Sequence, residues 1–206
     1  MLRRFGFIAA LICAVAASGA EADDGQKDGL STTVFAGGCF WCVESDFDKL
    51  DGVVDTLSGY TGGRTDNPTY RDVTSGGTGH YEAVRITYDP AKVSYETLVT
   101  YFFRHVDPTD PDGQFCDRGP GYRTAIFAAN AEEREIAERL KAEAAAELSA
   151  EVVTPVLDTG PFYPAEDYHQ DYYVKNPVRY KYYRFACGRD RRVQSLWGDG
   201  AKTPRS

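Results

Sequence analysis

Behind Asn130, apolar residues return every four positions at Ile136, Leu140, Ala144 and Leu148. That spacing marks an amphipathic helix, and Asn130 with Glu133 three residues later resembles a capping box at its start. Charged residues such as Glu135 and Arg139 read as a solvated face with weak ion pairs. Short runs rich in β-branched and aromatic residues, at 32–36, 53–60, 81–88, 123–128 and 152–157, read as strands. Ser94 is placed to cap a further helix reaching about Arg104, with Tyr95, Leu98, Val99 and Phe102 facing inward. Residues 59–79 and 107–121 are Gly-, Asn- or Pro-containing and aperiodic, and read as long loops, which in compact domains are often functional. Residues 162–185 are crowded with tyrosine. No repeat or linker interrupts residues 32–198, so the chain reads as one α+β domain.

The first 22 residues read as an address. Arg3-Arg4 precede a short apolar run from Phe5, and Ala20-Glu21-Ala22 offers a small-x-small cleavage site. The run is short for a membrane span, and no later segment is long and apolar enough to serve as one. The expectation is an exported protein, periplasmic or secreted, with a mobile lead-in at 23–31 and a C-terminal tail at 199–206. The formal net charge of −8 argues against nucleic acid or an anionic membrane surface as the main partner. Of five cysteines, Cys13 leaves with the signal, and Cys39, Cys42, Cys116 and Cys187 remain as possible bridges or reagents. Arg189, Arg191 and Arg192 read as solvated surface.

The chemistry concentrates at Cys39. Gly37-Gly38 breaks the first strand, and Val43, Phe47 and Leu50 then follow at helical spacing up to Gly52. Cys39 therefore sits where a strand turns into a helix N-terminus, whose free amides and dipole favour the nucleophilic thiolate. The glycines would let other groups approach its sulfur, and Phe40 and Trp41 follow as aromatic walls.

An ordered set of further segments sharpens this. Gly37-Gly38-Cys39-Phe40-Trp41-Cys42 is followed by Gly59-Tyr60-Thr61-Gly62-Gly63, Asn67-Pro68-Thr69-Tyr70 and Gly79-His80-Tyr81-Glu82. Asp117-Arg118-Gly119, Tyr122-Arg123, Ala165-Glu166-Asp167-Tyr168-His169-Gln170 and Lys175-Asn176-Pro177 come later in the same order. The set resembles the peptide methionine sulfoxide reductase A family over about residues 33–198. The resemblance implies a two-layer domain with a mixed sheet and a ferredoxin-like core. It implies thiol-dependent reduction of methionine S-sulfoxide, free or in oxidised proteins, as repair after oxidative stress.

By the same resemblance Cys39 attacks the sulfoxide sulfur and becomes a sulfenic acid, while Glu82 supplies the proton that the oxygen needs. Tyr70 and Tyr122 donate to that oxygen, Asp117 helps hold the substrate or the tyrosines, and Phe40 and Trp41 receive the S-methyl group. His169 reads as structural. The sulfenic acid condenses with a second thiol, either Cys187 or Cys42, with Cys116 as a third candidate. No bound cofactor or metal is implied; the reductant is an external thioredoxin-like protein, and a monomer is expected. A thioredoxin-like oxidoreductase built on Cys39-Phe40-Trp41-Cys42 leaves Tyr70 and Glu82 unexplained. A binding domain with two static bridges would hold no free thiol, and zinc would need a second Cys-x-x-Cys or paired histidines.

Overall fold

The computed structural model describes residues 29–201, so segment 1–22, most of the lead-in and residues 202–206 lie outside it. The elements run β1 (Ser31–Gly37), α1 (Phe40–Phe47), β2 (Val53–Thr61), α2 (Tyr70–Thr74), β3 (Tyr81–Tyr88) and α3 (Tyr95–Phe103). There follow β4 (Gly113–Gln114), β5 (Asp117–Arg118), β6 (Thr124–Ala128), α4 (Ala131–Leu148), β7 (Val156–Asp158) and β8 (Phe162–Pro164). Three helices close the chain: α5 (Tyr172–Lys175), α6 (Pro177–Cys187) and α7 (Arg189–Trp197). The main sheet has the order β7-β6-β1-β3-β2-β8. All its neighbours are antiparallel except β6 and β7, so the sheet is mixed. Its centre, β6-β1-β3-β2, carries α1 between the first two strands in sequence and α3 before the last. That is the ferredoxin-like βαββαβ arrangement.

Alternation along the strands decides what faces what. Phe35, Val84, Ile86, Tyr88 and Ile126 join Val43, Phe47, Leu98 and Phe102 of the helices in the larger core. Val34, Ala36, Tyr81, Ala83, Ala125 and Phe127 form a smaller cluster on the other face. Phe35 stacks on Phe102 at 5.1 Å and lies 5.6 Å from Phe47, centroid to centroid. Glu82 shares the parity of Val84 and Ile86 and so points under α1. The caps form as the sequence indicates: Ser94 Oγ accepts the Thr97 amide, and Asn130 Oδ1 accepts the Glu133 amide. The Glu133 carboxylate accepts the amide of Ala129, the residue before the cap.

Several elements depart from expectation. Pro155 cannot donate to a ladder, and the strand expected at 152–157 shrinks to β7. The loop at 59–79 holds α2, started by a full Thr69/Asp72 capping box but too short to show periodicity. The loop at 107–121 holds the two-residue β4–β5 hairpin and a 3₁₀ turn, Pro120–Tyr122. Arg139 pairs with Glu143 and Glu96, not Glu135. Most tellingly, α7 is an ordered helix whose Arg189 is only 2% exposed. Arg189 donates to the carbonyls of Gly37 and His105, and Arg192 pairs with Asp107. The supposed solvated arginines are in part a buried brace. Their polar neighbours are backbone oxygens and carboxylates from distant segments, which no local pattern reveals.

Candidate active site

Gly37 ends β1 and Cys39 caps α1, so sheet becomes helix within two residues. Gly38 sits at φ +83°, and a Cβ there would come within 2.5 Å of Gln114. The close approach is thus by Gln114, with Val43 and Val106 crowding Gly37, and the glycines make room for the fold itself. Gly38→Ala is expected to cost about 1–3 kcal/mol, through strained backbone and overlap. A lower urea midpoint at unchanged slope would register it.

Cys39 and Cys42 are free and buried. The helix terminus alone would favour the Cys39 thiolate, yet burial pushes this thiol well up, with Cys42, Glu82 and Asp117 adding to the shift. Desolvation outweighs the dipole of an eight-residue helix, and the resting Cys39 keeps its proton. Cys42 moves the other way, lowered by its hydrogen bond with Cys39 and by the nearby Arg189 and Arg184.

Glu82 accepts the Phe40 amide at 3.1 Å, at the first helical residue after the nucleophile. It is 1% exposed, and burial pushes its carboxyl up to about 8, so it is largely protonated at neutral pH. Tyr122 hydrogen-bonds to both Glu82 and Tyr70. Burial raises both phenols, so both remain donors. Cys39, Glu82, Tyr70 and Tyr122 come from four separate stretches of chain and converge at one place.

Phe40 is 1% exposed, between Tyr60, Tyr70 and His169. Trp41 stacks on Tyr172 at 3.7 Å, meets Tyr183 edge-on, and donates its indole N–H to His169 Nδ1 at 3.1 Å. His169 therefore orients the indole. Asp117 accepts a short hydrogen bond from Tyr183, a residue that sequence reading passed over. The available signal was its place four residues before Cys187, which puts both on one face of α6.

The segment around His169 is a scaffold for this pocket. Glu166 accepts the Tyr70 amide at 2.9 Å and the Tyr60 hydroxyl at 2.8 Å. Gln170 pairs with both the N–H and the C=O of Ser58, each at 2.9 Å, as an added strand would. Gln170→Ala strips both partners and is expected to cost about 1–3 kcal/mol, measurable by urea unfolding. His80 accepts the Gly63 amide, which ties the loop after β2 to the strand bearing Glu82.

Cys116 and Cys187 form a disulfide between the β4–β5 turn and the end of α6. Two static bridges are therefore not what this chain holds. Among the described residues, the one cluster with donor spacing for a metal is Cys116, Asp117 and Cys187, whose sulfurs are bonded to each other. The site as a whole offers a sulfur nucleophile, a neutral carboxylic acid, two phenolic donors and apolar rings. That set suits attack on an electrophilic atom bearing an oxygen that must be protonated and an apolar substituent.

Comparison with known proteins agrees. A family model described as peptide methionine sulfoxide reductase matches residues 31–201. The chain is 57% identical over 168 residues to peptide methionine sulfoxide reductase MsrA 2 of Rhizobium meliloti, across 82% of this chain and 84% of that one. It is similar in structure to methionine sulfoxide reductase A of Corynebacterium diphtheriae (TM-score 0.67, 37% identity, 74% of this chain and 78% of that one). It is likewise similar to reduced Mxr1 of Saccharomyces cerevisiae (TM-score 0.69, 32% identity, 72% and 87%). Mxr1 has also been solved in complex with Trx2, at TM-score 0.51 and 22% identity over 70% of this chain and 85% of that one.

Proposed function

The chain belongs to the peptide methionine sulfoxide reductase A family, and on that premise we propose that Cys39 attacks the sulfoxide sulfur while Glu82 protonates the oxygen. The reaction is the thiol-dependent reduction of methionine sulfoxide to methionine. The observation that carries the assignment of roles is the meeting of Cys39 with a buried, proton-bearing Glu82 beneath the start of α1.

A sulfoxide oxygen is a poor leaving group until it is protonated. Glu82 gives that proton as the Cys39 sulfur bonds to the substrate sulfur, and the thiol proton of Cys39 restores Glu82. Tyr70 and Tyr122 donate to the oxygen as its negative charge grows. Oxygen passes to Cys39 as a sulfenic acid and the thioether leaves, so thiol plus sulfoxide gives sulfenic acid plus methionine. A second thiol then displaces water from Cys39, giving a disulfide that a dithiol reduces.

Several finer points extend the reading. Phe40 and Trp41 receive the S-methyl group and thereby select the S epimer, on free methionine sulfoxide and in oxidised proteins. The reductant is a thioredoxin-like protein, a reading supported by the Mxr1–Trx2 complex of the yeast relative. Export is supported by the basic and apolar start of the chain. Chromatographic separation of methionine from a peptide sulfoxide after incubation with dithiothreitol tests the activity. Methionine from the S epimer and none from the R epimer is expected; the reverse preference would overturn the pocket assignment.

A further inference from the structure

Glu44 is a buried carboxyl that the chemistry leaves unused. It lies on α1 beyond Cys39 and is 1% exposed, as deeply buried as Glu82. As a stabilising element it is poorly served. Its Oε1 accepts the Ser58 hydroxyl at a long 3.3 Å, and its Oε2 has no hydrogen-bond partner among the described residues. Asp48, on the same helix, and Asp171 both oppose its charge. Burying a carboxyl with an unpaired oxygen costs stability that an apolar side chain of similar size would not. What Glu44 does hold is the chain segment that backs the sulfoxide pocket.

Trp41 and Glu44 are three residues apart, so both project from one side of α1. Trp41 donates to His169 and lies flat on Tyr172, their ring planes 5° apart. Between those two partners in the chain, the Asp171 amide lies against the Glu44 carboxyl and favours its charged form. Asp171 starts α5 at φ +51°, a left-handed conformation, and its own side chain makes no capping hydrogen bond. The turn is held instead from α1 by Glu44, and from β2 through Ser58, whose N–H and C=O are taken by Gln170. The direction of that turn decides where Tyr172 points, and Tyr172 backs the indole.

We propose that Glu44 is a positioning residue for the substrate pocket: it fixes the turn at Asp171, so that Tyr172 clamps Trp41 in the orientation that receives the S-methyl group. The inference rests on the reading of Trp41 as a wall of that pocket. Glu44 gives and takes no proton in the reaction; its effect passes through Tyr172 to the indole. Burial pushes its carboxyl up to about 7, so it is partly protonated at neutral pH, and the neutral amide of glutamine is a close substitute.

The test measures kcat and KM for a methionine S-sulfoxide peptide with dithiothreitol, beside the urea midpoint. Glu44→Leu keeps the volume and removes the acceptor. It is expected to raise KM roughly fivefold or more with kcat within about twofold of wild type, the mark of lost binding rather than lost chemistry. Glu44→Gln is expected to keep both constants within about twofold of wild type. Trp41 and Trp197 are the only tryptophans, so a Trp197→Phe background makes the indole its own reporter. There Glu44→Leu should shift the Trp41 emission and Glu44→Gln should not. Adding Glu44→Leu to Tyr172→Leu should change KM little further, because the two act through one contact. A lower urea midpoint with KM and emission unmoved overturns the positioning role, as does full additivity with Tyr172→Leu. If Glu44→Leu does not fold, Ser58→Ala removes one donor alone; KM should rise about threefold, and an unchanged KM overturns the role. Trp41→Leu with an unchanged KM overturns the reading of the pocket wall itself.

Discussion

Cys39→Ser is expected to abolish methionine formation from a methionine S-sulfoxide peptide, by roughly 10⁴-fold or more, as removal of an essential nucleophile does. Serine keeps the size and the hydrogen-bonding capacity of the position but lacks a sulfur that can take up oxygen and return it as water. The loss should persist with dithiothreitol or thioredoxin, because it precedes recycling. The turn itself should survive, since Gly38 and the Gln114 contact are untouched. Measurable turnover in the serine variant, with an unchanged urea midpoint, would move the nucleophile elsewhere.

Glu82→Gln should be the second largest loss, roughly 10²–10⁴-fold in kcat, the range set by general acid catalysis. The amide preserves the acceptor for the Phe40 N–H but carries no acidic proton. In the wild type the carboxyl is pushed up to about 8, so the competent protonated form dominates at neutral pH. kcat/KM is therefore expected to fall as pH rises through about 8, and the glutamine variant should lose that limb. Stability carries the same signature. The folded carboxyl holds a proton that the unfolded one releases above its ordinary value of 4.5, so this group's contribution is lost as pH rises from there through about 8. Chemical denaturation of the two proteins across that window would show the difference narrowing in Glu82→Gln.

The candidate site was legible where chemistry and spacing coincide locally. Cys39 follows from a strand, two glycines and a helical repeat; Ser94 and Asn130 mark helix starts by their own hydrogen bonds. Tyr183 and Arg189 were not legible in that way. A tyrosine among many gains its role only when Asp117 lies opposite, and an arginine counts as surface until Gly37 and His105 supply its acceptors.

Sequence alone determined the elements whose causes lie within a few residues: the strands of the ferredoxin-like core, the caps, and the order of motifs that marks the family. Only the tertiary structure decided the protonation of Cys39. The dipole argument is local, whereas desolvation and the charges of Glu82 and Asp117 come from other segments, and at this depth of burial they prevail. It also decided which sulfurs are bonded. The fold bonds Cys116 to Cys187, 71 residues apart, by bringing the β4–β5 turn against the end of α6, and leaves Cys39 and Cys42 as thiols.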